Sequence, residues 1–369
     1  LKRVFEPAVF DDALFFDLFA SMSIEADRAI NGSLRLYIDG MQSSQYENEV
    51  LYNQPRMGET FKDYVSRTTD GRKLGIIVNG AEQWSDRLAR MGARIFAPIV
   101  EAQGAWRSAV EVTLFIGNYG YTPFGIHIDN PYTSVVHFHT GPSAKEMTLF
   151  SKEEFHRMNG EQKNCFHPER LVPYGETFVI EAGDVFLLPP HWYHIGNTDS
   201  FSIGIAFAVS KYSDAKVTEK ILQHAITEER FQGSIDEIVK RVEKSEYSQA
   251  EWLRRIHAES MARALSRRHL RYSFVRFQDD VITPDTRLMR DPDFPLTTIE
   301  VEEDLLVFVR GNRIRLARNE VCVKLMKVIP DTSFSARELY EKLDGRVSLD
   351  VLLVTVRQLR RLGGLQLAA

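Results

Sequence analysis

The chain has 369 residues, enough for one large core with an added module or for two to three ordinary domains. Hydrophobic residues make up 44% and charged ones 26%, which excludes a chain dominated by disorder, and no apolar run approaches the roughly 20 residues that span a bilayer. A formal net charge of -5 removes any global attraction to nucleic acid and leaves only local basic stretches to consider.

The first hundred residues mix helix and strand signals. PAVFDDALFFDLFASM (7–22) repeats apolar residues at helical spacing, LRLYIDG (34–40) and LGIIVNG (74–80) read as short strands ending at Gly, and AEQWSDRLARMGARIFAPIVEA (81–102) reads as an amphipathic helix. From about residue 110 the runs VEVTLFIGN, TSVVHFHTG, KEMTLF, ETFVIEAG, DVFLLPP and FSIGIAFAV predict short strands of a β-sandwich or barrel. SKEEFHRMNG (151–160) interrupts them as a helix starting at Ser151. After Lys211 the period is helical again in AKVTEKILQHAI, SIDEIVKRVEK and SQAEWLRRIHAESMARALSRR, with TPDTRLMRDPDFP (283–295) as a candidate linker. The tail predicts a hairpin around Gly311-Asn312 in LLVFVRGNRIRLAR, helices in EVCVKLMKVI, SARELYEKL and SLDVLLVTVRQLRRL, and a closing run GLQL, an order that looks like a winged-helix module.

Leu1 in place of an initiator Met reads as a trimmed start, so no targeting segment is inferred from it. Cys165 and Cys322 stand far apart without a C-x-x-C pattern, which argues against a disulfide framework or a thiolate zinc site and fits a reducing, cytoplasmic setting.

The chemistry lies in FGIHIDNPYT (124–133). In an extended strand residues two apart share a face, so His127 and Asp129 converge while Ile126 and Ile128 face the other way. Such a pair alone is equally a surface hydrogen bond. A third residue, His194, follows the Gly-Asp turn, apolar strand and Pro-Pro corner of GDVFLLPPHWYHIGN, which can return it opposite the His127 and Asp129 face. Two imidazoles and one carboxylate form the facial triad suited to non-haem Fe(II), with positions left for a bidentate cosubstrate and dioxygen. A structural zinc site would fill four positions with protein ligands, whereas catalytic zinc with a bound water stays open.

The joint pattern IHID, KEMTLF and GDVFLLPPHWYH resembles the Jumonji-C (JmjC) or cupin-like branch of Fe(II)- and 2-oxoglutarate-dependent oxygenases over residues 110–210. The resemblance implies an α+β chain with a double-stranded β-helix (jelly-roll, cupin-like) core, and His127, Asp129 and His194 as iron ligands. It also implies Lys145 as the cation for the distal carboxylate of 2-oxoglutarate, since a buried dicarboxylate needs a charge partner. Alternation turns Thr133 and His137 towards the metal face as further cosubstrate candidates, with His139 alongside as a core histidine. Ala206 stands where several relatives carry an assisting Asn, so that job is either absent or done elsewhere, with Asn197 and Ser202 as candidates. His191 at the Pro-Pro corner reads as outward, Trp192 and Tyr193 as packing residues, and Tyr121 and Thr122 as residues just before the strand that could face the pocket.

The flanks resemble those of ribosomal-oxygenase-type protein hydroxylases. That layout implies three parts: a catalytic domain over 1–211, a helical, dimerisation-type block over 212–272, and a winged-helix-like domain over 273–369. It further implies a homodimer acting on a protein or peptide. Arg357, Arg360 and Arg361 cluster on the last helix, but the acidic net charge argues against nucleic acid as the direct partner. Two rival readings remain: the same chemistry on a small molecule or natural-product intermediate, and a non-enzymatic cupin-like binding module.

Overall fold

The computed structural model describes residues 1–102, 108–130, 132–219, 249–274 and 280–368, with positions 234, 236, 237, 240 and 243 between them. These residues form two compact units, Leu1–Gly92 with Ala109–Lys211 and Ala93–Ser108 with Tyr212–Ala369. Two of the expected helices of the middle block, 215–226 and 234–244, lie largely outside the described residues.

The first unit opens with α1 (Asp12–Ile24), capped by the Asp11 side chain on Leu14 N–H, and α2 (Ala26–Gly32). Leu14, Phe15, Leu18, Phe19 and Met22 form the buried stripe of α1, the helical spacing visible in the sequence. There follow β1 (Leu34–Ile38), β2 (Met41–Gln42), α3 (Ser44–Tyr52), α4 (Phe61–Thr68), β3 (Leu74–Asn79) and α5 (Asp86–Ala102). Then come β4 (Ser108–Gly117), β5 (Gly120–Tyr121), β6 (Ile126–His127), β7 (Thr133–Pro142), β8 (Lys145–Phe150), α6 (Lys152–Asn159), β9 (Asn164–Cys165), β10 (Glu176–Ile180), β11 (Val185–Leu188), β12 (Tyr193–Thr198) and β13 (Ser202–Lys211). Ser151 starts α6 through a full capping box with Glu154, as its sequence predicts.

Two antiparallel sheets hold these strands, in the orders β11-β7-β13-β4-β3-β1-β2 and β10-β8-β12-β6-β9, with β5 on β12. Leaving aside the two-residue β5 and β9, successive strands from β4 switch between the sheets, staying in the second only from β8 to β10. That winding is the double-stranded β-helix, or jelly roll. Met147, Leu149, Ile180 and Leu188 fill the space between the sheets together with Val135 and Phe186. On the outer face of β4, Val110, Val112, Leu114 and Ile116 are fully buried, leaving the inner face of the strand for the site.

The second unit takes in the C-terminal half of α5. Arg94 makes a bidentate ion pair with Asp293 at 2.7 and 2.8 Å, and Arg268 pairs with Glu101 at 3.0 Å. An amphipathic period says that a helix buries a face, not against which segment, so the sequence alone places the whole of α5 with the barrel. α7 (Gln249–Ser266) is followed by β14 (Leu288–Arg290) and the sheet β15 (Thr297–Val301), β16 (Asp304–Val309) and β17 (Asn312–Ala317). Then come α8 (Glu320–Val328), α9 (Ala336–Lys342), α10 (Leu349–Arg361) and β18 (Leu365–Leu367), which pairs with β14. The run LLVFV is continuously apolar because β16 is covered on both faces. Leu305, Val307 and Val309 pack with Leu325, Leu339, Leu352 and Val356, while Leu306 and Phe308 pack with Ala262 of α7. The hairpin turn falls on Arg310 and Gly311, one residue earlier than its sequence suggested, with φ of 48° and 84°. Two left-handed residues make the primed turn that matches strand twist, and Arg310 is held there by stacking between Phe274 and Phe294, 4.0 Å from each ring. The expected linker 283–295 also departs from expectation, since β14 forms inside it once β18 arrives from the far end of the chain.

Candidate metal centre

β6 is two residues long. His127 is its last, opposite Asn164 of β9 on one side and His194 of β12 on the other. Asp129 therefore comes to the site from the loop beyond the strand, not by strand alternation as the sequence suggested. The outcome is the same convergence: the ligand atoms of His127, Asp129 and His194 all lie within 4.8 Å of one another. The Asp129 carboxylate stands 3.9 Å from His127 Nε2 and 4.0 Å from His194 Nε2, and the two rings are 4.4 Å apart.

The tautomers are set by backbone. His127 Nδ1–H donates to the Gly125 carbonyl at 3.0 Å and His194 Nδ1–H to the Trp192 carbonyl at 3.3 Å, which leaves both Nε2 lone pairs free towards Asp129. Burial, with His127 as the next cause, pushes His194 down to about 4, so at neutral pH it is in the neutral form that ligates. Gly125 has φ of 69°, and a Cβ there would meet the Cys165 carbonyl oxygen at 2.2 Å, so only glycine brings the chain into β6 in this way. Two imidazoles and a carboxylate on a face left partly open suit Fe(II), and the same donor set accepts Mn(II) or Co(II).

Deeper between the sheets lies a buried cation. Lys145 is 2% exposed, and its Nζ donates to the Tyr119 hydroxyl at 2.9 Å and sits 4.9 Å from the Phe115 ring centre. No carboxylate among the described residues pairs with it, and burial pushes it down to about 7. Burial also raises Tyr119 above its usual range, keeping it a phenol. Around this cation two buried polar atoms, Thr122 Oγ1 and His137 Nε2, lack partners among the described residues. Burial, then the charge of Lys145, drives His137 well below its ordinary value, so it is neutral. Glycines make the room. A Cβ on Gly196 would meet Lys145 Cε at 2.7 Å, and one on Gly204 would meet His137 Cε1 at 2.2 Å. Ala206 lies opposite His137 in the ladder, its small side chain facing the same way.

The remaining expected residues divide by strand face. Thr133 turns inward at the opposite end of β7 from His139, four residues before His137, and pairs its hydroxyl with Ser210 at 3.0 Å. Ser202 is buried with its hydroxyl on Thr198 at 3.0 Å. Asn197 alternates onto the outer face with Tyr193 and Ile195, and its amide donates to Glu146 at 3.0 Å. His139 donates through Nε2 to the Ser143 carbonyl at 2.7 Å, a core histidine as expected. Thr122 lines the cation pocket, whereas Tyr121 packs outside with Ile126 and Phe155. His191 is exposed, as expected, while Tyr193 stacks on Phe155 at 3.8 Å. Sequence reasoning missed Tyr119 and Phe115. Phe115 had a signal, since it alternates along β4; Tyr119 had none, because it lies in the turn after the strand.

No family model matches the chain, and no curated protein matches it. Among solved structures it is similar to YcfD, a ribosomal oxygenase from Escherichia coli, in complex with cobalt and succinic acid, at 12% identity over 94% of this chain and 89% of that one with a TM-score of 0.45. The same protein with cobalt and 2-oxoglutarate aligns at 13% identity, 94% and 90% coverage and a TM-score of 0.42. A Bacillus subtilis oxalate decarboxylase aligns over 28% of this chain and 22% of its own, at 18% identity and a TM-score of 0.19.

Proposed function

We propose that the chain is an Fe(II)- and 2-oxoglutarate-dependent oxygenase that hydroxylates a side chain of a protein or peptide. The observation that carries this reading is the pairing of a three-ligand site with a buried, uncompensated cation deeper in the same barrel. A three-ligand site alone serves many reactions. Adding a desolvated lysine, a buried phenol and two partnerless polar atoms implies an acidic guest that the closed end of the barrel is built to receive, and a dicarboxylate reaching from metal to Lys145 answers both features.

His127, Asp129 and His194 would hold the iron, with Gly125 and Trp192 carbonyls fixing the two rings. Iron and 2-oxoglutarate, when bound with dioxygen, supply oxidative decarboxylation to succinate and carbon dioxide coupled to hydroxylation of a C–H bond. The chain's own part is placement. Lys145, taking up a proton as the dianion arrives, would clamp the distal carboxylate; Tyr119 would orient the ammonium, and Thr122 and His137 would offer hydrogen bonds to the same guest. Leu149, Met147 and Leu188 keep the surroundings apolar and exclude water.

The assay is succinate formation under air from Fe(II) and 2-oxoglutarate, with a mass gain of one oxygen on a peptide. A purified protein that binds no Fe(II) or Mn(II), or binds it without turning over 2-oxoglutarate, sinks the proposal. We also read the C-terminal unit as winged-helix-like, on the order hairpin, three helices and closing strand, and on β14 bridging both Phe334, between α8 and α9, and β18 after α10. The expected homodimer rests on the resemblance alone. No helix among the described residues is long and apolar enough to cross a membrane, and free Cys165 and Cys322 are compatible with the expected cytoplasmic setting.

A further inference from the structure

The sheet β15-β16-β17 of the second unit has two edges, and they differ. β17 carries Arg313 and Arg315, charges of the kind that keep a strand edge from pairing with another chain. β15 lacks such guards: its register with β16 runs without a bulge, it contains no proline, and its one charge, Glu300, is held by Arg318 at 2.8 Å. Glu302 and Glu303 close the β15–β16 hairpin, so Val301 and Asp304 form its first hydrogen-bonded pair and the pairing alternates from there. Val301, Ile299 and Thr297 therefore bond to β16. The N–H and C=O groups of Thr298 and Glu300 point away from it, and none of the described residues takes them up. The turn at Arg310 and Gly311 sets the same phase from the other side, since it leaves Asp304, Leu306 and Phe308 to bond with β15.

Beside that edge β15 and α8 leave a groove. One pocket of about 110 Å³ is lined by apolar Leu296, Leu305 and Met326 and by Arg290, Thr298 and Lys327, and a second of about 390 Å³ adjoins it at Glu300, Val323 and Lys327. The charges around the groove are matched except for one. Arg318 pairs with Glu300, Lys324 with Asp344 at 3.1 Å, Arg290 with Asp331 at 3.5 Å, and Glu320 with Arg346 at 2.7 Å. Lys327, which lines both pockets from the last turn of α8, pairs with none of the described residues. An added strand would lie about 4.8 Å beyond β15 and turn alternate side chains into the groove, one onto the apolar lining and its neighbour two residues away towards Lys327. A phosphodiester chain supplies acceptors for Lys327 but no alternating donors and acceptors at strand spacing, so the two outward backbone pairs favour a polypeptide.

We infer that the outer edge of β15 is a docking site for an extended acidic peptide, which pairs its backbone with Thr298 and Glu300, seats an apolar side chain against Leu296, Leu305 and Met326, and places a carboxylate on Lys327. The site is independent of the oxygenase reading, since all of these residues lie in the unit that does not hold the metal ligands. The test is fluorescence anisotropy of the full chain with fluorescein-labelled Thr-Glu-Thr-Leu-Thr-Glu-Thr-amide, whose groove-side residues read the same in either direction. It should bind about five-fold more tightly than the peptide with lysine in place of both glutamates, the upper end for an exposed ion pair. Lys327→Glu should reverse that preference. Thr298→Pro removes an outward N–H that β16 does not use and should abolish binding, with the melting temperature checking that the variant folds; N-methylation of the internal amides of the peptide should do the same to the wild type. Equal affinity for the acidic and lysine peptides, or binding that survives both Thr298→Pro and N-methylation, overturns the inference. A wild type that binds neither peptide also overturns it, and dimerisation in light scattering that Thr298→Pro disrupts would then give the edge to a second copy. Displacement of the labelled peptide by oligouridylate at lower concentration than by the unlabelled peptide overturns it in favour of nucleic acid.

Discussion

Replacing Lys145 by methionine should stabilise the protein without cosubstrate, and by an amount that depends on pH. An unfolded lysine titrates near 10.5, whereas Lys145 in the fold is pushed down to about 7 by burial. Between those values the unfolded chain binds more protons than the folded one, so wild-type stability rises with pH across the window. The penalty is complete below pH 7, shrinks by about 1.4 kcal/mol per pH unit above it, and vanishes near the unfolded value, a total on the order of 5 kcal/mol. Methionine removes the penalty but leaves the buried Tyr119 hydroxyl without its donor, which costs about 1–3 kcal/mol. Lys145→Met should therefore be more stable than wild type by roughly 2–4 kcal/mol at pH 7, and the gap should close and then reverse as pH approaches 10. Chemical denaturation of both proteins between pH 7 and 10 measures it. Mn(II) with saturating 2-oxoglutarate should narrow or invert the order at pH 7, because a ligand that binds only the folded wild type at a hundred times its Kd adds about 2.7 kcal/mol. A gap that is flat with pH, or a wild type that is the more stable at pH 7 without ligand, refutes the account of Lys145 as a desolvated cation waiting for an anion.

Other outcomes follow from single contacts. Alanine at His127, Asp129 or His194 should weaken Mn(II) binding in a calorimetric titration by more than the 10- to 100-fold that loss of an orienting partner costs. Gly204→Ala puts a methyl 2.2 Å from His137 Cε1, and overpacking of that kind costs about 1–3 kcal/mol in a denaturant midpoint; wild-type stability there would show that His137 does not fill the space. Tyr119→Phe should raise the KM for 2-oxoglutarate several-fold with little change in kcat, since the hydroxyl orients Lys145 without reaching the metal. In the other unit, Ser335→Ala removes the capping hydrogen bond that Glu338 N–H donates to the Ser335 hydroxyl at the start of α9 and should cost about 1 kcal/mol in a thermal melt.

What could be read beforehand was local. Strand runs, the Ser151 helix start and the triad all depend on residues near in sequence or on a corner that returns the chain, and period and turn chemistry carry that information. What escaped depends on distant partners. β14 needed β18 from the end of the chain, α5 needed Asp293 and Arg268 to divide it between units, and Asn197, a candidate for the job of the Asn missing at Ala206, depends on a strand face that its amide shows by donating to Glu146.

The division has a physical consequence for reading such sites. Metal ligands announce themselves because few residue types ligate and they cluster in short motifs, whereas the pocket around Lys145 is defined as much by what is missing. Gly196 and Gly204 supply its space, and Ala206 does not intrude on His137. A small residue is silent in a hydrophobicity pattern, so the volume it opens becomes visible only when the facing side chain is in place.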